Sequence, residues 1–281
     1  MAGRSMTDKP LMLNLDLARR IELSEAQAAV DGAETMNRLR PGSGAAVERI
    51  AGGFAIYCGP NSPTTQAVGL GLDGHVSGEE FDRLEEFYRS RGEPVRVETC
   101  PLADHFFFEH FGKRGYRVTE FSNVMALALD SVNGAGSWPT PPSAVTIEKI
   151  GEDQIDLWTL TVAQGFAENF PVIEEILDVM KMFGLSPNAE LYLARLDGKV
   201  AGGGTLAIRN GVAGLFGAST LVAFRNRGVQ TALLHARLAR AVERGCDLAV
   251  SLAQPGSISQ RNIVRQGFVT LYTRTKFEKD V

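Results

Sequence analysis

With 281 residues, 44% of them hydrophobic, the chain can build one large domain or two of moderate size. A formal net charge of -4 argues against an extensive nucleic-acid face, and no apolar run reaches the roughly 18 residues of a membrane span. Three scattered cysteines, Cys58, Cys100 and Cys246, match neither a disulfide framework nor a zinc spacing and fit a reduced compartment. The first residues lack the apolar core of a secretion signal, which completes the expectation of a cytoplasmic protein.

In chain order, the first clear periodicity is an amphipathic helix over 79–91. It follows a glycine-rich stretch, 69–78, that carries Asp73 and no arginine; the carboxylate repels phosphate. A helix over 102–113 follows Pro101 and closes on Arg114-Gly115-Tyr116, before a strand over 124–129. His105 and His110 on that helix lack the cysteine or carboxylate companions of a metal site. Glycine, serine and three prolines over 131–143 oppose both helix and central strand, and read as an interdomain connector.

Beyond it a strand over 144–150 leads to helices over 154–167 and 172–183. Strands over 191–196 and 200–208 form a hairpin around Asp197-Gly198, and another strand runs over 212–221. The helix over 228–244 gathers Val229, Ala232, Leu233, Ala236, Ala239 and Val242 on one face and ends at Gly245. A strand over 248–252, a helix over 257–266 closed by Gly267, and a strand from 268 to about 277 complete a mixed α/β layer structure. Long helix, short strand, proline (Pro255 here), helix, glycine and strand repeat the order seen from 79 to 129, which points to a duplication. Gly211, Gly214 and Gly217 fall inside a strand, which rules out a dinucleotide fingerprint.

Between the strand over 212–221 and the long helix lies Arg225-Asn226-Arg227-Gly228-Val229-Gln230. Free N–H groups of a first helical turn, with the helix dipole behind them, favour an anion, and Gly228 removes a side chain that would block its approach. The pattern Arg225-x-x-Gly228-x-Gln230, followed by Ala232-Leu233-Leu234 and later by Arg265-Gln266-Gly267-Phe268, resembles the GNAT superfamily of acyl-CoA N-acyltransferases. The resemblance covers 144–281 well and the first half in part. It implies an α/β (α+β mixed sheet) fold of tandem GNAT-like domains. A degenerate copy without a CoA loop would span 11–130, a linker 131–143, and a CoA-binding domain 144–281.

The same resemblance implies acetyl-CoA as cosubstrate, no metal, and transfer of an acetyl or other acyl group to an amine. The amine would attack directly in a ternary complex, since no cysteine matches a family nucleophile and Cys246 merely follows a helix-ending glycine. Backbone N–H groups of Arg225, Asn226, Arg227, Gly228, Val229 and Gln230 would cradle the pyrophosphate, with the two arginines adding charge. Thr220 would sit beside the pantetheine arm, Asn262 would face it, and the strand before the loop would offer an N–H to the thioester carbonyl.

Two departures stand out. Gln230 replaces a small residue, and Ile263 stands where many members carry a tyrosine that protonates the leaving thiolate. Tyr272 is the nearest phenol in sequence; its plainer reading is an aromatic on a sheet face. For the base, the strand over 212–221 offers no carboxylate, whereas Glu168, Glu174 and Glu175 flank a break at 169–171 where the family shapes its acceptor site. Glu168 is preferred, against the plainer reading of a solvated helix end. Ser257, Ser259 and Gln260 read first as N-caps, and His235 as a surface residue. The alternative to an enzyme is a non-catalytic acyl-CoA-binding or sensor protein, and a further one is a scaffold that keeps only the fold. In each case the first half supports the second or shapes its acceptor site.

Overall fold

The computed structural model describes residues 11–129, 138, 144–167 and 172–280. The chain opens with the 25-residue helix α1 (Leu15–Leu39), started by the Asn14 side chain, which accepts from the Leu17 N–H. Sequence periodicity misses α1 for a physical reason. Its inward face mixes Ala18, Ile21, Ala26 and Ala33 with buried Glu22 and Asp31, so the apolar stripe is thin and interrupted.

The first half continues with β1 (Ala46–Ile50), β2 (Gly53–Tyr57), β3 (Gln66–Val68), α2 (Gly78–Arg89), β4 (Val95–Thr99), α3 (His105–Lys113) and β5 (Arg117–Ala128). The second half has β6 (Val145–Ile150), α4 (Ile155–Phe166), α5 (Glu174–Leu185), β7 (Ala189–Leu196), β8 (Lys199–Arg209) and β9 (Val212–Thr220). It ends with α6 (Val229–Glu243), β10 (Leu248–Ala253), α7 (Ile258–Val264) and β11 (Val269–Lys279). Second-half elements fall where glycines and turns place them. The β7–β8 hairpin turns on Asp197 and Gly198, both at positive φ (52° and 77°), as a two-residue turn between twisted strands requires.

The order strand–strand–strand–helix–strand–helix–strand occurs twice, as β1 to β5 and as β7 to β11. In the first half α1 alone stands where the second has α4 and α5. The two copies do not form separate sheets. All eleven strands join one sheet in the order β1-β2-β3-β4-β11-β5-β10-β9-β8-β7-β6. The last strands are exchanged: β11 pairs with β4 of the first half (Thr275 with Thr99), and β5 pairs with β10 of the second (Ala128 with Leu248).

The exchange is built into the cores. Phe277 of β11 stacks on Phe111 of α3 with centroids 4.1 Å apart, so the second half closes the aromatic cluster of the first, around Phe81 and Phe107. α6 packs Leu233 and Leu238 with Leu206 and Leu215 in the second-half core. α1 ties the halves together: Arg209 of β8 pairs with its Asp31 at 2.5 Å, and its last turn leads to Arg40, which binds Asp178 of α5 at 2.8 Å. Of the connector, Trp138 is described, edge-on to His235 with centroids 6.4 Å apart. Among the described residues no helix is long and apolar enough to cross a membrane.

Candidate active site

β9 and β10 are parallel and pair from Val212 with Leu248 to Leu215 with Ser251. Further along, β9 runs to Thr220 and β10 to Ala253 without pairing, so the strands part and open a gap in the sheet. On its other edge β9 bulges against β8. Gly203 pairs with Ser219 and Thr205 with Phe216, so Gly217 and Ala218 together oppose Gly204. Gly217 has φ +55°, a left-handed conformation that glycine adopts without steric cost. Such a bulge leaves one residue outside the ladder, with its N–H available.

β9 leads into the loop that starts α6. Gly228 is the N-cap, at φ +83°, and no side chain caps the helix, so its first amides remain open to an anion. The arginines are braced rather than free. Arg225 Nε donates to the Thr220 carbonyl at 3.3 Å and Nη2 to the Gly165 carbonyl at 3.1 Å, fixing the loop to the ends of β9 and α4. Arg227 lies exposed at the rim and binds Asp197 of the β7–β8 turn at 2.9 Å. Arg225 therefore shapes the loop, and its charge reaches a ligand only from behind that brace.

A cavity of about 450 Å³ occupies the gap and extends to α1. One wall is residues 214–218 of β9, Gln230 and Leu234 of α6, residues 250–252 of β10, and Ser259 and Ile263 of α7. The opposite wall comes largely from the first half, through Ser24, Glu25 and Ala28 of α1 and Pro63 and Thr64 of the β2–β3 loop, with Phe183 of α5 beside them. Glu25 is the one carboxylate among the lining residues, and Arg274 of β11 holds it at 2.6 Å. Glu25 lies on α1, whose thin apolar stripe hides it in the sequence.

The structure brings Gln230, two residues past the Gly228 N-cap, and the β9 bulge to one cavity, and leaves other expected residues off its lining. Tyr272 is buried in a charged cluster: its hydroxyl donates to Glu22 at 2.6 Å, and Arg274 Nε donates to the same oxygen at 2.8 Å. Burial and the neighbouring carboxylate hold the phenol far above its usual range, and it does not line the cavity. Ile263 is also buried and lines the cavity with an apolar side chain. Asn262 lies one residue off the lining face. Thr220 ends β9 opposite Gly202, with its hydroxyl buried and unpartnered.

Glu168 lies outside the described residues, and Glu174 pairs with Arg40 at the end of α1. Ser257 caps α7, accepting from the Gln260 N–H at 3.1 Å. His235 is not a surface residue: it is 7% exposed and its Nε2 meets Gln266 Oε1 at 2.7 Å, because this face of α6 packs against the end of α7. All three cysteines are buried, and burial pushes their thiols up, that of Cys100 to about 12.

Residues 156–268 match the model of the acetyltransferase (GNAT) family, a span that includes the gap, the bulge, Gly228 and α7. The fold is similar to that of a GCN5-related N-acetyltransferase from Kribbella flavida, 14% identical with a TM-score of 0.68, over 94% of this chain and 96% of that one. It is also similar to a tandem GNAT protein from the clavulanic acid biosynthesis pathway, 13% identical with a TM-score of 0.63, over 96% and 97% of the two chains. A GCN5-related N-acetyltransferase from Sphaerobacter thermophilus matches at 18% identity and a TM-score of 0.55, over 72% of this chain and 67% of that one. No curated protein matches the sequence. Residues 156–268 thus form a domain that matches the acetyltransferase (GNAT) family, within a fold that over nearly its whole length is similar to that of a tandem GNAT protein.

Proposed function

We propose that the second half transfers an acyl group, most simply acetyl, from CoA to an amine by direct attack in a ternary complex. What carries this reading is the continuity of one cavity from the parted strands to a wall supplied by the first half, beside an uncapped helix start. The pyrophosphate would lie on the backbone N–H groups of 225–230 and the pantetheine arm in the gap along β9. The thioester carbonyl would accept from the bulge at Gly217 and Ala218, where a fixed N–H stabilises the charge that develops on oxygen during attack.

The amine would enter from the α1 side. Its nitrogen bonds to the carbonyl carbon, the C–S bond breaks, and the electron pair leaves with the CoA sulfur. The proton shed by nitrogen would go to Glu25, directly or through one water. A thiol ordinarily ionises near about 8.5, so the thiolate departs without a strong acid, and Ile263 in place of a phenol is compatible with turnover. The buried, hard-to-ionise cysteines, none of which lines the cavity, favour direct attack over a thioester intermediate on the protein. The first half, 11–130, would act as the acceptor wall without binding CoA itself.

The absence of a phenol among the lining residues favours one second reading, a non-catalytic acyl-CoA sensor. A thiol-release assay over a panel of amines, paired with acetyl-CoA thermal shifts, separates the two. Binding with thiol release from at least one amine supports the transferase, whereas binding without release from any amine supports the sensor. If acetyl-CoA gives no shift, and Gly228→Trp behaves as wild type, neither survives.

A further inference from the structure

Arg237 projects from the middle of α6 into the cavity wall, is 1% exposed, and pairs with no carboxylate among the described residues. Its Nε donates to the Leu233 carbonyl at 3.0 Å and its Nη1 to the Thr205 carbonyl of β8 at 2.9 Å. The strand is shaped to admit it. A Cβ at Gly204 would stand 3.0 Å from the guanidinium carbon, so any larger residue there would require Arg237 to shift. Two of the five N–H donors are occupied by these carbonyls, and three remain.

The other charges on the cavity wall are neutralised. Glu25 is held by Arg274 at 2.6 Å and Arg209 by Asp31 at 2.5 Å. Arg237 is the exception. The titratable group whose field reaches it is Tyr192, whose hydroxyl is engaged with Glu190 at 3.0 Å. Burial pushes the guanidinium down to about 10, which still leaves it cationic at neutral pH. A buried charge is costly unless it is paired, and no carboxylate among the described residues pairs this one. The CoA pyrophosphate is not the missing partner. It belongs to the helix start at Gly228, nine residues and about 13 Å of helix away at 1.5 Å per residue. The lining that Arg237 shares includes the apolar side chains of Leu215, Leu234, Val250 and Ile263.

We propose that Arg237 receives a carboxylate of the reactants, carried either at the far end of the donor's acyl chain or on the acceptor amine. This rests on the CoA reading for where the donor lies, and narrows it to a substrate class: a dicarboxylic acyl-CoA or an amino acid acceptor. The guanidinium binds and orients the carboxylate while transfer at the β9 bulge proceeds as for acetyl. Neutral donors and amines lacking a carboxylate leave Arg237 unpaired and bind less well.

The test compares acetyl-CoA with malonyl-CoA and succinyl-CoA by calorimetric titration, and amino acids with their decarboxylated amines by KM. A carboxylate-bearing donor binding at least tenfold tighter than acetyl-CoA assigns the carboxylate to the donor. Equal donors with a tenfold lower KM for amino acids assign it to the acceptor. In either case Arg237→Gln abolishes the preference and Arg237→Lys keeps part of it. A wild-type protein that shows neither preference overturns the proposal, and that result needs no variant to fold. If acetyl-CoA itself does not bind, the CoA reading fails separately. Free succinate and malonate then decide at constant ionic strength: a thermal shift in wild type that Arg237→Gln loses supports the carboxylate site, and equal shifts overturn it.

Discussion

Ser77 and Gly228 hold the same place in the two halves, before the helix that follows the third strand of each repeat, and they leave those helices in opposite states. Ser77 Oγ accepts from the Glu80 N–H at 3.2 Å, while Glu80 Oε2 accepts from the Ser77 N–H at 2.9 Å. A carboxylate of the chain itself thus occupies the positive end of α2. Gly228 offers no side chain, and α6 begins uncapped. One fold carries both a closed and an open anion seat, and only the open one adjoins the parted strands.

Gly228→Trp is expected to abolish the acetyl-CoA thermal shift. In wild type, ligand at a hundred times its Kd stabilises by about 2.7 kcal/mol, read as a shift of roughly 5–10 °C in a chain of this size. Gly228→Ala gives a smaller defect, since a side chain at φ +83° costs roughly 1–2 kcal/mol without filling the anion's place. Equal shifts in wild type and Gly228→Trp would remove the pyrophosphate from this loop.

Glu25→Gln keeps the shape of the acceptor wall and removes its carboxylate. If Glu25 takes the amine proton, kcat falls by roughly 10²-fold or more while the acetyl-CoA shift is unchanged. Steady-state kinetics at saturating donor reads this directly. An unchanged kcat means that the proton leaves by another route.

Tyr272→Phe is expected to lower stability and leave kcat per folded molecule intact. The variant takes one donor from buried Glu22, which costs roughly 1–3 kcal/mol. Burial already holds Glu22 above its ordinary value, and the phenol hydrogen bond opposes that shift, so its loss raises Glu22 further. A carboxylate raised in the folded state binds more protons there than when unfolded, so stability falls as pH rises above the unfolded value of about 4.3. The gap between Tyr272→Phe and wild type therefore widens from pH 4 towards neutrality in denaturant melts. A gap that narrows with pH contradicts this account of the cluster.

The loop before α6 was legible because it is local. Gly228, the braced arginines and the Gly267-Phe268 ending lie in short stretches whose backbone demands show in the residue types. Asp197, Gly245 and Gly267 likewise mark turns at positive φ, and the second-half elements follow from them. The far wall of the cavity was not legible, because Glu25 lies on the unrecognised helix α1 and Thr64 on the β2–β3 loop, both remote in sequence from β9 and α6. Arg237 and His235 were hidden by their neighbours: among Arg240 and Arg244 they read as one solvated face, yet both are buried. Strand exchange leaves no trace in alternation, since β5 and β11 present the same pattern whichever copy they pair with.

That exchange gives the last prediction. Without the first half, residues 144–281 lose β5 from between β10 and β11, and two strands acquire bare edges. Phe277 loses its stack on Phe111 as well. Unpaired edges and exposed aromatics drive association, so this fragment alone is expected to be insoluble or oligomeric on size exclusion. The piece 11–130 has the mirror defect, with Phe111 uncovered, one edge of β4 bare and β5 left without either neighbour. Co-expressed, the two should form a one-to-one complex with a single cooperative melt and the acetyl-CoA shift of the intact chain. The connector over 131–143 would then be dispensable for folding, because β5 and β11 would hold the halves together without it. A monomeric 144–281 that melts cooperatively and binds acetyl-CoA would show instead that the second copy can satisfy its own sheet.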